Sequence, residues 1–433
     1  MRSPAVRKVG RVSAPSDPPA LQRRLGLTDA VFIGLGSMMG AGVFAAFAPA
    51  AAAAGAGLLV GLVLAAIVAF CNATASAQLA AAYPTSGGTY AYGRAELGPW
   101  WGFIAGWSFV IGKLASCAAM ALTFAAYAAP PGWERPVGIL AVIALVTVNC
   151  LGVTRTAQLT RIIVVAVLLT LAVVVAAGIA APDHVGFAAP DLLRSGVYGI
   201  LQSAGLLFFA FAGYARIATM GEEVRDPART IPRAIVLALL LAITVYAVIA
   251  VTVLTVLGPA ATAASPAPLA DVAAASGWGW TQPVVRVGAA AASLGALLAL
   301  IAGIGRTTLA MAREDDLPRF LSAVHPRRNV PVRAEVAIGL IVVVAVAVTD
   351  LRGAIGFSSF GVLLYYFVAN LAAWRQRAPH RRYPRTLQIL GVIGCAVLVV
   401  TLPPTAVVIG TAVVLLGVGY RFIRLRILRA RAG

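Results

Sequence analysis

Apolar runs of 18 or more residues recur along this chain from end to end. Each is long enough to cross about 30 Å of hydrocarbon at about 1.5 Å per residue. Lipid offers backbone groups no hydrogen bonds, so such runs must close their own bonds as helices. Of the 433 residues, 61% are apolar and 11% are charged. That charged share is less than half of the roughly 25% usual in soluble domains, which excludes a soluble fold. The sequence predicts an all-α membrane protein of about twelve spans, near 28–52, 55–81, 98–127, 136–152, 155–181, 195–221, 232–257, 282–306, 332–349, 354–374, 386–402 and 404–422.

A formal charge of +19 raises the question of nucleic acid, but no aromatic-basic module accompanies it. The basic residues instead alternate between loops. Arg2, Arg7, Lys8, Arg11, Arg23 and Arg24 precede the first span, and Arg421, Arg424, Arg426, Arg429 and Arg431 follow the last. Clusters between them fall at 155–161, 225–233, 313–333 and 375–385, whereas the opposite loops hold only Arg135, Arg194, Arg286 and Arg352. Cytoplasmic loops are the ones enriched in Lys and Arg, so both termini are expected in the cytoplasm of a protein of the cell inner membrane, its partner the lipid bilayer and not nucleic acid. An even number of spans requires the same. Residues 1–24, rich in Pro, Ser and Arg, are expected to form a mobile cytoplasmic arm. A cleaved leader fits poorly, because the basic segment is long and glycines interrupt the first apolar run. Cys71, Cys117, Cys150 and Cys395 lie in or at the edge of spans and read as packing residues, with no metal or cofactor implied.

Two spans carry clustered small residues halfway along: Gly34, Gly36, Ser37, Met38, Met39, Gly40, Ala41 and Gly42 in the first, and Phe209, Ala210, Phe211, Ala212 and Gly213 in the sixth. Each opens a set of five spans. Five is odd, so the second set inserts upside down relative to the first, as in an inverted repeat. The predicted organisation is 25–181 for one half, 182–380 for the other and 381–433 for two further spans with a basic tail. A helix that unwinds inside a membrane frees N–H and C=O groups that must face protein or a watery cavity. Freed amides and a half-helix N-terminus suit a carboxylate, and freed carbonyls suit an ammonium. A zwitterion matches both. The competing reading, a close-packing face of small residues, fits one such span better than two.

These residues resemble the amino acid-polyamine-organocation (APC) superfamily of permeases. The resemblance rests on Gly36-Ser37-Met38-Met39-Gly40-Ala41-Gly42-Val43-Phe44 in the first span and Pro84-Thr85-Ser86-Gly87-Gly88-Thr89-Tyr90 after the second. It continues through Phe209–Gly213, then Gly221-Glu222-Glu223-Val224-Arg225-Asp226-Pro227 and Ile231-Pro232-Arg233-Ala234-Ile235, to Arg306 with Met311–Pro318. It implies a LeuT-like 5+5 inverted repeat with broken helices 1 and 6, plus two extra spans. It further implies an amino acid permease with a site between the first, third, sixth and eighth helices. The amides of Ala41 and Gly42, beside Gly40, would hold the substrate carboxylate. The carbonyls of Met38, Phe209 and Ala212, beside Gly213, would hold its amine, with Phe209 as a lid. Many relatives place an acid two positions after the sixth-span glycine; here that position is Ala215, which argues against a basic substrate.

Lys113 lies midway along the third span, where a cation costs at least about 2.5–3.5 kcal/mol and so calls for a partner or a function. A buried Lys, unlike an Arg, can release its proton near neutral pH, which makes Lys113 the candidate for carrying a coupling proton. A lysine that fixes packing through backbone carbonyls is the alternative. Sodium coupling is disfavoured, because 299–305 at the inner part of the eighth span has no hydroxyl. Glu222, Glu223, Arg225 and Arg155 read either as a solvated cluster or as an inner gate, with Arg155, Arg161, Arg306 and Arg313 as partners across it. An intramembrane enzyme is disfavoured because His184, His325 and His380 fall in separate loops and no carboxylate lies deep in a span. An exchanger and a sensor that binds without translocating remain as other readings.

Overall fold

Backbone self-sufficiency in lipid is met throughout by helices. The computed structural model describes residues 24–84, 87–152, 157–326, 328 and 330–432; among them there is no strand, only an isolated backbone bridge between Leu25 and Val224. Nine helices among the described residues are long and apolar enough to cross a membrane: Leu27–Ala45, Phe47–Ala82, Pro99–Ala128, Ala157–Ala180, Gly196–Ala218, Pro227–Ala264, Thr281–Arg313, Leu351–Arg375 and Pro404–Ile427. Helices of 17 residues, Glu134–Cys150, Val332–Val348 and Arg385–Thr401, occupy the fourth, ninth and eleventh expected spans. The expected N-terminal arm, apart from Arg24, lies outside the described residues, as does Arg155.

Two local expectations need adjusting. The segment 258–281, left between the expected seventh and eighth spans, is largely helical. The seventh-span helix continues through a kink at Gly258 (φ 72°) to Ala264, and a further helix spans Pro268–Ala275. Gly258 takes the left-handed backbone that lets the chain continue into Pro259, so the proline redirects the helix instead of ending it. The sixth span is also less unwound than its composition suggests.

The third-span helix Pro99–Ala128 and the tenth-span helix Leu351–Arg375 are the most enclosed, and the last helix is the least. Small residues bring the first two together. A Cβ on Gly361 would stand 2.7 Å from Gly112 Cα, so neither glycine has room for a side chain. One turn further, the hydroxyls of Ser116 and Ser358 are 2.6 Å apart. Close backbone approach through small residues is the usual way helices associate where lipid supplies no hydrophobic drive. The contact also fixes the rotation of the third-span helix, and with it the direction of Lys113.

Candidate functional site

The first span is built in pieces. Helix Leu27–Met38 stops at Met39, the backbone turns at Gly40 (ψ −120°), and helix Ala41–Ala45 resumes with no side chain capping its first amides. A third helix piece then runs Phe47–Ala54. The sixth span runs Gly196–Phe211, tightens into one 3-10 turn at Ala212–Tyr214, and resumes at Ala215–Ala218. The two interruptions lie against each other. A Cβ on Gly213 would be 2.3 Å from the carbonyl carbon of Ser37, one on Gly42 would be 2.7 Å from Ala210 Cα, and one on Gly40 would be 2.4 Å from Ala296 Cβ in the eighth-span helix. The glycines at both interruptions are therefore set by contact between helices as well as by the turns themselves.

Several carbonyls at these interruptions are engaged by side chains. Tyr246, buried on the seventh-span helix, reaches the carbonyls of both Met38 (2.7 Å) and Ala210 (3.0 Å) with one hydroxyl. Lys113 Nζ donates to the carbonyl of Ala212 at 3.4 Å, and the Tyr366 hydroxyl reaches the same oxygen at 3.4 Å. The carbonyl of Phe209 accepts from the N–H of Ala212. Tyr127, on the third-span helix, donates to the carbonyl of Phe44 at 3.1 Å. A buried tyrosine hydroxyl needs a partner, and here three of them find it in backbone carbonyls at or near the interruptions.

All seven residues expected at the binding site fall at this junction of the first, third, sixth and eighth helices. Ala41, Val110, Cys117, Phe209 and Ala296 share one cluster of buried apolar residues there. Lys113 is 7% exposed and lies beside it. Among the described residues no carboxylate is within ion-pair distance of Lys113. Tyr246 and Tyr366 were not singled out from sequence. The only signal for them is general, that a tyrosine in mid-span must place its hydroxyl somewhere polar.

The expected gate residues Glu222, Glu223 and Arg225 lie at the end of the bundle that carries the basic loops. Glu223 pairs with Arg216 at 3.8 Å. The N–H of Arg225 donates to the carbonyl of Leu25 (2.9 Å), and the N–H of Leu25 donates to the carbonyl of Glu223 (3.1 Å). Glu222 is half-buried in the same turn. A shorter ion pair holds the first-span helix, Arg161 to Asp29 at 2.6 Å. Arg161 was among the expected partners; Asp29 was not.

A second charged cluster occupies the same end. Asp316 accepts from Tyr90 (2.8 Å), Arg94 (3.0 Å) and Arg421 (2.5 Å), which ties the helix Gly88–Leu97 and the last helix to the end of the eighth-span helix. Burial pushes the Asp316 carboxyl above its ordinary value and outweighs the opposing pull of Tyr90, Arg421 and Arg94. Its neighbour Asp315, more exposed, accepts from Arg319 (2.7 Å) and Arg424 (2.8 Å), which lower its carboxyl to about 2. The guanidinium of Arg421 also lies over the rings of Phe103 (4.7 Å) and Trp100 (5.0 Å).

At the opposite end a cavity of about 610 Å³ opens among Pro49, Leu122, Glu134, Ser265, Asp350 and Arg352. Beside it, Arg352 donates to Gln202 of the sixth-span helix at 3.1 Å. The bundle is thus tied by ion pairs at the basic end and hollow at the other.

A family model described as amino acid permease matches residues 25–422. An uncharacterized transporter of Mycobacterium tuberculosis (strain ATCC 25618 / H37Rv) is 56% identical over 419 residues, which cover 96% of this chain and 94% of that protein. The branched-chain amino acid permease of Bacillus subtilis (strain 168) is 25% identical over 406 residues, covering 88% and 86%. Cationic amino acid transporter 4 of Homo sapiens is 28% identical over 379 residues, covering 81% of this chain and 59% of its own length.

Proposed function

The chain belongs to the amino acid permease family, and from that premise we propose that it is a secondary active transporter, not an enzyme, that carries amino acids across the cytoplasmic membrane by proton-coupled symport. The halves 25–181 and 182–380 form the inverted repeat that rocks between two access states, 381–433 adds the last two spans, and both termini are cytoplasmic. The amides of Ala41 and Gly42 take the substrate carboxylate, and the carbonyls of Met38, Phe209 and Ala212 take its amine. Gly40 and Gly213 keep the two broken helices close enough to share one substrate.

The observation that carries this reading is the convergence of two interrupted helices on carbonyls held by side-chain donors, the ammonium of Lys113 and the hydroxyls of Tyr246 and Tyr366. A symporter must return empty. Buried carbonyls without partners would cost about 1–3 kcal/mol each on that return, and these donors remove the cost. When substrate arrives, its amine takes the carbonyl of Ala212. Lys113 is then left to a new partner, and the substrate carboxylate supplies a negative charge that favours keeping it protonated. Substrate and proton therefore load together. The ion pair Asp29–Arg161 and the contacts among Leu25, Glu223 and Arg225 close the cytoplasmic side, while the cavity by Asp350 is the open one.

The test is uptake of a radiolabelled amino acid panel by the purified protein in liposomes, with an inside-alkaline pH gradient compared with a sodium gradient. Accumulation under the pH gradient alone is expected. Exchange without accumulation would make the protein an antiporter, and binding without exchange would make it a sensor.

A further inference from the structure

The carboxylates of this chain are distributed in a way that bears on its substrate. Every described Asp and Glu lies at a helix end or in a connector: Asp29 and Glu335 in first turns, Asp350 at an N-cap, and Glu222, Glu223 and Glu314 to Asp316 in turns beyond helix ends. None reaches the junction of the broken helices. Among the described residues the charged side chain that does reach it is Lys113, enclosed and bonded to the carbonyl oxygen of Ala212. Its immediate surroundings are Ala212, Tyr366, Cys117 one turn away and the apolar cluster of Val110, Phe209 and Ala296.

A substrate that binds at this junction meets an uncompensated positive charge in a medium where charges interact far more strongly than in water. A zwitterion with an uncharged side chain brings no net charge and offers Lys113 a carboxylate. One with a cationic side chain brings a second positive charge to a site with no anion to receive it, and desolvating it there has no compensation. We propose that Lys113 is a specificity-determining residue that restricts the site to amino acids whose side chain carries no positive charge. This rests on the permease reading and names the substrate class for the same site.

The two readings fail separately. In wild-type liposomes loaded by a pH gradient, arginine and lysine in excess are expected to leave uptake of neutral amino acids unchanged and to show no uptake themselves. Arginine or lysine carried within about tenfold of the best neutral amino acid would overturn the restriction while leaving the permease reading intact. If no amino acid of any class is bound or carried, the permease reading is what falls. Because Lys113 is also proposed to couple protons, its variants are compared by equilibrium binding of the radiolabelled amino acid in detergent. Lys113→Gln is expected to improve cationic relative to neutral binding by at least about tenfold, and Lys113→Arg, which keeps the charge, is expected to retain the restriction. An unchanged ratio in folded Lys113→Gln overturns the proposal. If that variant does not fold, the wild-type panel and Lys113→Arg decide it.

Discussion

The centre of this molecule and its basic-loop end both hold buried charge, and they treat it in opposite ways. At the end, Asp316 accepts from three donors and Asp315 from two, and the arginines involved come from three separated parts of the chain. At the centre, Lys113 has a single neutral oxygen at 3.4 Å, shared with a tyrosine. A charge enclosed by counter-charges is locked, because removing one partner strands the other. A charge resting on a carbonyl loses little by changing partner. The difference separates a fastening from a working part.

The contrast can be broken first through geometry. Gly213→Val places a side chain where backbone atoms of Ser37 and Met38 already stand, and overpacking against backbone in a site this tight exceeds the usual range of about 1–3 kcal/mol. It is expected to abolish a monodisperse peak in detergent chromatography; a variant with wild-type elution and melting would mean that the two broken helices are not pressed together as described.

Asp316→Ala tests the fastening. Leaving Arg421 enclosed without its carboxylate is expected to cost about 3–5 kcal/mol, seen as a large fall in melting temperature. Lys113→Met should do the reverse at the centre, leaving melting unchanged or raised while pH-driven accumulation falls at least about tenfold, since an apolar replacement removes an unpaired buried charge. Equal losses of stability in the two variants would erase the distinction.

The smallest effect belongs to Asp315→Asn, about 0–1 kcal/mol, because that pair is partly exposed. Its arginine partners hold the carboxyl at about 2, below its ordinary 3.8, so the charged form stabilises the fold fully above about pH 4 and the benefit fades as pH falls through about 2. The difference in melting between wild type and variant should therefore shrink on acidification over that window; a difference that grew instead would mean that Asp315 is not held by Arg319 and Arg424.

Much of the centre could be read from the residues in order. The glycine cluster at 34–42 located the first break, and a lysine at the midpoint of an apolar run announced itself. The sixth break was located but its form was not, because Ala212 and Gly213 tolerate a tight turn as readily as an unwound one. Tyr246 escaped notice because which mid-span hydroxyl meets which carbonyl depends on how helices 208 residues apart are rotated. The fastening at the other end was equally hidden. Arg421 looked like one more basic residue of a tail, and only the return of the last helix beside Pro99–Ala128 brings it to Asp316, 105 residues away.

Leu25 joins the start of the first broken helix to the turn after the sixth through two backbone bonds, one as donor and one as acceptor. Neither bond uses a side chain. In evolutionary terms the joint is hard to see: its bonds are made by backbone alone, so side-chain identity along the two segments does not report it. Proline is the exception, since Leu25→Pro removes one donor and Arg225→Pro the other.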